Sequence, residues 1–191
     1  MQLVERLLNR DQKAFDMFYD TYATVLLRRL HRLTGNPHDA EDCLQQVFIQ
    51  VMLSLKNYRA DGALGAWLNR IATHVALNFF RKQRRLHSFL QRLVPEKEPD
   101  VFEQAIPERL FMLRECRQLI WMILDKLSPH KRIALMMCDL EGYTIQEAAD
   151  QIDVPLGTMV SRLHHGRKQF KHYLQLESRR WGLSVDDLLR E

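Results

Sequence analysis

Three cysteines, seven glycines, six prolines and no apolar run long enough to span a bilayer mark this 191-residue sequence as much by what it lacks as by what it holds. Cys43, Cys116 and Cys138 are odd in number and far apart, so no disulfide framework is expected and a reducing cytoplasm suits the chain. They form no Cys-x-x-Cys, and the adjacent His164 and His165 point about 100° apart on a helix, so neither a metal site nor a cofactor is expected. Polar and charged residues follow Met1 within the first turns, and no signal-peptide core is expected. Glycine and proline fall where they punctuate helices, Gly166 excepted, and nothing alternates β-branched residues with a period of two. No nucleophile lies beside a base and no carboxylate pair has a recognisable spacing, which argues against an enzyme.

What is present is enough apolar residue, 46%, to build real cores, and charge that is unevenly placed. From Val154 to Gln175 there are four Lys or Arg, three His and no acid. Arg81 to Arg92 holds five bases and no acid, whereas Pro95 to Glu108 holds five acids, one Lys and three prolines. Two basic blocks flanking an acidic, proline-containing spacer predict two surfaces that face a polyanion. The expected fold is all-α, with two small helical domains over 1–90 and 111–191 joined by a linker over 91–110.

Periodicity places helices over Asp11 to Thr34, His38 to Leu55 and Leu64 to Arg85, the last burying Leu64, Trp67, Leu68, Ile71, Val75 and Phe79. Helical pattern resumes near Arg109. Ser128 is placed to cap, and Pro129 to open, a helix reaching about Leu140. Thr144 with Glu147 has the spacing of a capping box ahead of Ile145 to Ile152.

The turn Asp-Val-Pro then leads into a helix starting near Pro155, giving a helix-turn-helix over about 146–165. On that second helix Leu156, Met159, Val160, Leu163, Phe170 and Leu174 share one direction and predict its core stripe. The opposite side carries Thr158, Ser161, Arg162, His165, Lys168, Gln169 and His172, donors and cations with no carboxylate to repel phosphate. Such a face suits a major groove. Charging its imidazoles adds phosphate contacts, so DNA affinity is expected to rise on mild acidification; a binding constant that does not change between about pH 6 and pH 8 contradicts this. Gly166 costs about 1 kcal/mol against Ala inside a helix, which leaves open whether the helix bends past His165.

Two further surfaces stand out. Arg70, His74, Asn78, Arg81 and Arg85 recur at three- and four-residue steps along one edge of the helix from Leu64, after a loop that can frame an unstacked base. The helix before it has one apolar face in Leu44, Val47, Phe48, Val51 and Leu55, while Ile49, Met52 and Leu53 spill onto others, rimmed by Asp39, Asp42, Gln45 and Gln46. Periodicity alone leaves two readings: a central helix, or one that docks on a large partner.

In order and spacing these segments resemble the extracytoplasmic-function (ECF) sigma factors, which lend promoter specificity to bacterial core RNA polymerase. "DAEDCLQQVFIQVMLSLKNYR" is similar to the polymerase-binding segment and "WLNRIATHVALNFFRKQRR" to the helix that melts and reads the minus-ten element. "LSPHKRIALMMCDLEGYTIQEAADQIDVPLGTMVSRLHHGRK" resembles the domain that reads the minus-thirty-five element. The resemblance implies that residues 42–55 dock on core polymerase, with Asp39, Asp42, Gln45, Gln46, Phe48, Ile49 and Met52 in contact. It gives minus-ten recognition and melting to about 56–85, through Arg59, Asp61, Trp67, Arg70, His74, Asn78, Arg81 and Arg85. It gives the upstream element to Thr158, Ser161, Arg162, His164, His165, Arg167 and Lys168. It also implies an anti-sigma factor as regulator. Gln46 stands where Glu is common, His74 where Asn is frequent, Val160 where Lys or Arg is frequent, and His-His-Gly-Arg replaces a run more like His-Arg-Ala-Arg. A dimeric helix-turn-helix regulator that never joins the polymerase, and a helical adaptor for acidic proteins, are the competing readings; neither needs all three surfaces.

Overall fold

The structure, a computed structural model, describes residues 2–58, 63–93 and 108–180, with side chains over 3–58, 63–86 and 116–177. No strand occurs among the described residues. The helices are α1 (Gln2–Leu8), α2 (Gln12–Thr34), α3 (Pro37–Ser54), α4 (Leu64–Leu93), α5 (Glu108–Lys126), α6 (Pro129–Leu135), α7 (Ile145–Gln151) and α8 (Leu156–Arg180). The chain divides into two compact units. The spacer between α4 and α5 lies outside the described residues.

Side chains at the helix ends explain most boundaries of the first unit. Asp11 accepts from the backbone N–H of Lys13 at 3.0 Å and of Ala14 at 3.3 Å, which starts α2. Gly35 ends it in the left-handed region, φ 77°, where its N–H reaches the His31 carbonyl. One residue later Asn36 accepts from the His38 N–H at 2.9 Å, and Pro37 opens α3. Between them α2 and α3 bury Phe18, Leu26, Leu30, Leu33, Val47 and Val51.

The core side of α4 differs from the expected one. Leu68, Ile71, Ala72, Ala76, Leu77 and Phe80 are buried, whereas Leu64, Trp67, Val75 and Phe79 are half-buried on the flank. Ala72 and Ala76 decide the orientation, because small side chains let α4 approach closely; a count of large apolar residues misses them. Arg29 of α2, 4% exposed, then fixes α4 along its axis. Its Nη1 donates to the Asn69 carbonyl at 2.8 Å and its Nη2 to Thr73 Oγ1 at 3.0 Å. Thr73 Oγ1 in turn donates to the Asn69 carbonyl at 2.8 Å. Arg29→Ala should lower the stability of this unit by about 3 kcal/mol, from hydrogen bonds to a charged donor and the cavity left behind. Arg29→Met should cost about half as much, since the aliphatic stem still packs; urea titration of the purified variants measures both.

In the second unit Leu119 and Ile123 of α5 pack with Leu174, Phe170 and Tyr173 of α8. The Pro129-to-Leu140 helix expected from the sequence is interrupted. After Leu135 the backbone widens into a π-helical turn, Met136–Leu140, in which the Glu141 N–H reaches back to the Met136 carbonyl at 2.9 Å. Ser128 occupies the N-cap of α6, but its hydroxyl makes no cap bond; Pro129 at the first position does the work of starting the helix. The capping box forms as expected: Thr144 donates from its N–H and its hydroxyl to Glu147 Oε2, at 2.8 and 2.7 Å, and accepts from the Glu147 N–H. These bonds, the hydroxyl first, hold the Glu147 carboxyl below its ordinary range.

Gly166 neither frays nor ends α8, which runs on to Arg180. It is buried against α6, where an added Cβ would lie 3.3 Å from the Lys131 carbonyl oxygen and 3.4 Å from the Leu135 side chain. The glycine therefore permits close approach of two helices, and its propensity cost is offset by packing.

Candidate nucleic-acid and partner surfaces

On α8 the core stripe is Met159, Leu163, Gly166, Phe170 and Leu174, narrower than periodicity suggested. Leu156 and Val160, expected inside, are 46% and 45% exposed. At 100° per residue the side opposite Met159 and Leu163 carries Gly157, Ser161, His164, His165 and Lys168. All five are exposed. Thr158 and Arg162 are half-buried along one edge. The turn ahead of α8 is made by Asp153 in the left-handed region, φ 58°, which short polar side chains tolerate. The two adjacent imidazoles, His164 and His165, lie edge to face with centroids 5.4 Å apart.

Arg167 is exposed but engaged. Its Nε donates to Asp139 Oδ2 at 3.1 Å and its Nη2 to Asp139 Oδ1, a fork that clasps the π-helical turn to α8. The two residues lie 28 positions apart on different elements, so no helical spacing in the sequence signals the pair. Asp139→Asn is expected to release this guanidinium to phosphate, steepening the log–log salt dependence of DNA binding by about one. An exposed pair contributes little, so stability should shift by less than about 0.5 kcal/mol.

On α4 the structure brings the expected residues to one edge. Asn78, Arg81 and Arg85 are exposed, and Arg81 Nη1 donates to Asn78 Oδ1 at 3.1 Å. Arg70 is half-buried. His74 is half-buried too, and burial first, then the neighbouring Arg70 and Arg81 cations, hold its imidazole below its ordinary value. Trp67 packs its ring against Tyr58, centroids 5.0 Å apart, at the two ends of the loop between α3 and α4. Arg59 and Asp61 lie outside the described residues.

α3 is a core helix that also leaves an apolar strip exposed. Ala40, Cys43, Leu44, Val47, Phe48 and Val51 are buried, which makes α3 a core helix. Phe48, which periodicity groups with Leu44, Val47 and Val51 and the resemblance puts in contact with polymerase, is 7% exposed and packs against the rings of Phe18 and Tyr19, at 5.8 and 4.8 Å. It belongs to the core. Ile49 and Leu53, at 52% and 66% exposed, with Met52, form an outward apolar strip beside Asp42, Gln45 and Gln46. Asp39 is half-buried at the start of the helix. Burial, reinforced by Asp39 and Asp42, pushes the Cys43 thiol up to about 12, so it stays protonated and unreactive. No helix among the described residues is long and apolar enough to cross a membrane.

Comparison with known proteins adds two sequence families: Sigma-70 region 2 matches residues 18–86, and Sigma-70, region 4 matches residues 117–170. The ECF RNA polymerase sigma factor SigE of Mycolicibacterium smegmatis is 34% identical over 165 residues, covering 86% of this chain and 63% of that protein, so this chain spans less than two thirds of its length. The ECF RNA polymerase sigma-E factor of Escherichia coli K12 is 30% identical over 180 residues, covering 91% and 93%. Among solved structures, CnrH in complex with the cytosolic domain of CnrY has a TM-score of 0.55 at 19% identity, covering 92% of this chain and 97% of that one. The sigma factor RpoE in complex with the anti-sigma factor NepR, from Bartonella quintana, has a TM-score of 0.54 at 20% identity, covering 85% and 98%. These last two likenesses show a shared fold.

Proposed function

The chain belongs to the ECF branch of the sigma-70 family, and from that premise we propose how its own side chains divide the work of a promoter-specificity subunit. The outward strip of α3, Ile49, Met52 and Leu53 with Asp42, Gln45 and Gln46, docks on core RNA polymerase. Apolar side chains rimmed by polar ones match a protein interface, and nothing about such a strip suits DNA. The edge of α4, from Arg70 through His74 and Asn78 to Arg81 and Arg85, takes the minus-ten element. Amide and imidazole groups face exposed bases there, and the guanidinium groups face phosphate. The acid-free face of α8 enters the major groove of the minus-thirty-five element.

One observation carries this reading: an apolar outward strip in the region-2 match and a carboxylate-free helix face in the region-4 match occur on one chain. A dimeric regulator could pair through the first, but it would have no use for the separate basic edge of α4. Bond-making stays with the polymerase, and the chain supplies position and electrostatics rather than catalysis. It acts where the polymerase acts, in the cytoplasm, and an anti-sigma factor is its expected antagonist, as one accompanies RpoE of Bartonella quintana, which shares this fold.

Mixing the purified chain with sigma-free core polymerase and mapping transcripts from a genomic promoter pool tests the reading. Specific starts that depend on both components are expected. Failure to form a core complex, or starts identical to those of core alone, overturns it.

A further inference from the structure

We infer that Val160, with Leu156 one turn ahead of it, reads the C5-methyl groups of thymine in the upstream promoter element. The inference rests on the placement of α8 in a major groove and adds which base these two positions select. Periodicity assigned both side chains to the core, yet both are about half exposed. For Leu156 azimuth does not explain this, because Leu174 shares its direction and is buried; Val160 lies about 40° further out, on the side where Arg167 and Lys171 are exposed too. Both side chains stand in the first two turns of α8. Those turns are the ones a recognition helix presents to base edges.

The chemistry of the groove narrows what an aliphatic can recognise. Guanine and adenine offer acceptors or an acceptor with a donor, cytosine offers an amine, and the thymine methyl is the one apolar group on a base edge. Lys or Arg at position 160 would favour guanine. Valine makes no hydrogen bond, so placing it against guanine or cytosine leaves a desolvated polar edge unpaired, whereas against thymine it buries a methyl. Gly157 and Ser161, on the adjoining ridge, are small enough to let the helix approach closely, and neither they nor His164 brings a negative charge. Leu156 and Val160 are four residues apart, about 6 Å along the axis, so their contacts fall on base pairs about two steps apart.

The test uses holoenzyme made from the full chain and promoters recovered by transcript mapping. Each thymine of the upstream element is replaced in turn by deoxyuridine, which pairs identically and lacks only the methyl. At one or two positions binding should weaken roughly three- to five-fold, the value of one buried methyl. Val160→Ala should bind the thymine promoter more weakly and lose the thymine–deoxyuridine difference at one of those positions. Val160→Lys should shift the preference there towards guanine. Both substitutions fall on an exposed helical site, so the fold should hold. An upstream element without thymine, or one whose deoxyuridine forms bind as tightly, overturns the inference while leaving the sigma reading intact. If no upstream element is recovered at all, both fail together.

Discussion

Replacing Ile49 and Leu53 together with Asp is expected to weaken binding to core RNA polymerase by two to three orders of magnitude while leaving the fold intact. Both side chains point outward from α3, so each is available to a partner and neither supports the core. Burying an aliphatic side chain of this size contributes about 1.5–3 kcal/mol, and two anchors at the centre of an interface approach the upper end. Asp adds the cost of desolvating a carboxylate, and each 1.4 kcal/mol is a tenfold change in affinity. Stability should change by no more than about 0.5 kcal/mol, as for most exposed positions. Val47→Asp, two residues before Ile49 and on the buried side, should instead abolish folding. Titration of labelled chain against core polymerase, with thermal unfolding in parallel, separates the two. A double variant that binds core within threefold of wild type contradicts the assignment of α3.

The second large effect concerns α8. Ser161→Asp combined with Lys168→Glu places two carboxylates on a face that has none and removes one cation. Like charges brought against phosphate cost several kcal/mol, so recognition of the upstream element should fall on the order of a hundredfold. Losing Lys168 should also make the salt dependence shallower by about one counterion. Both residues are exposed, and core binding, which belongs to α3, should be unchanged. Comparing initiation at promoters with and without the upstream element measures the loss. An upstream contribution that persists within threefold shows that another surface reads that element.

Much of this arrangement is legible in the residues because polar side chains at helix ends act locally. Asp11, Asn36 and Thr144 with Glu147 satisfy backbone groups within three positions of themselves, so helix starts can be read without knowledge of the fold. The acid-free run of α8 is a compositional signal, and it survives folding because those side chains face outward. What periodicity misjudged was burial. It weighs large apolar residues equally and ignores small ones, so it turned α4 towards Trp67 and Val75 instead of Ala72 and Ala76. It also drew the stripe of α8 wide enough to include Val160 and assumed that a helix is covered along its whole length, which hid the exposure of Leu156. Phe48 lies on the face that periodicity marked as apolar, but the aromatic rings of α2 that cover it lie about thirty positions earlier, so its use in the core rather than at a partner had no local signal. The π-helical turn after Leu135 breaks the 100° register, and Arg167 meets Asp139 from 28 positions away on another helix, beyond the reach of any helical spacing. Buried Arg29 gave no signal at all; its partners are a backbone carbonyl and a hydroxyl forty and forty-four residues on.

The central claim is that one chain reads both promoter elements while held by the polymerase. Photo-crosslinking residues installed at Asn78 or at Ser161, in otherwise unaltered full-length chain with core polymerase, test it on a single promoter. The account predicts core-dependent crosslinks from position 78 at the minus-ten element and from position 161 at the minus-thirty-five element of the same DNA. Crosslinks from both positions at one palindromic site, or crosslinking that needs no core polymerase, would contradict it.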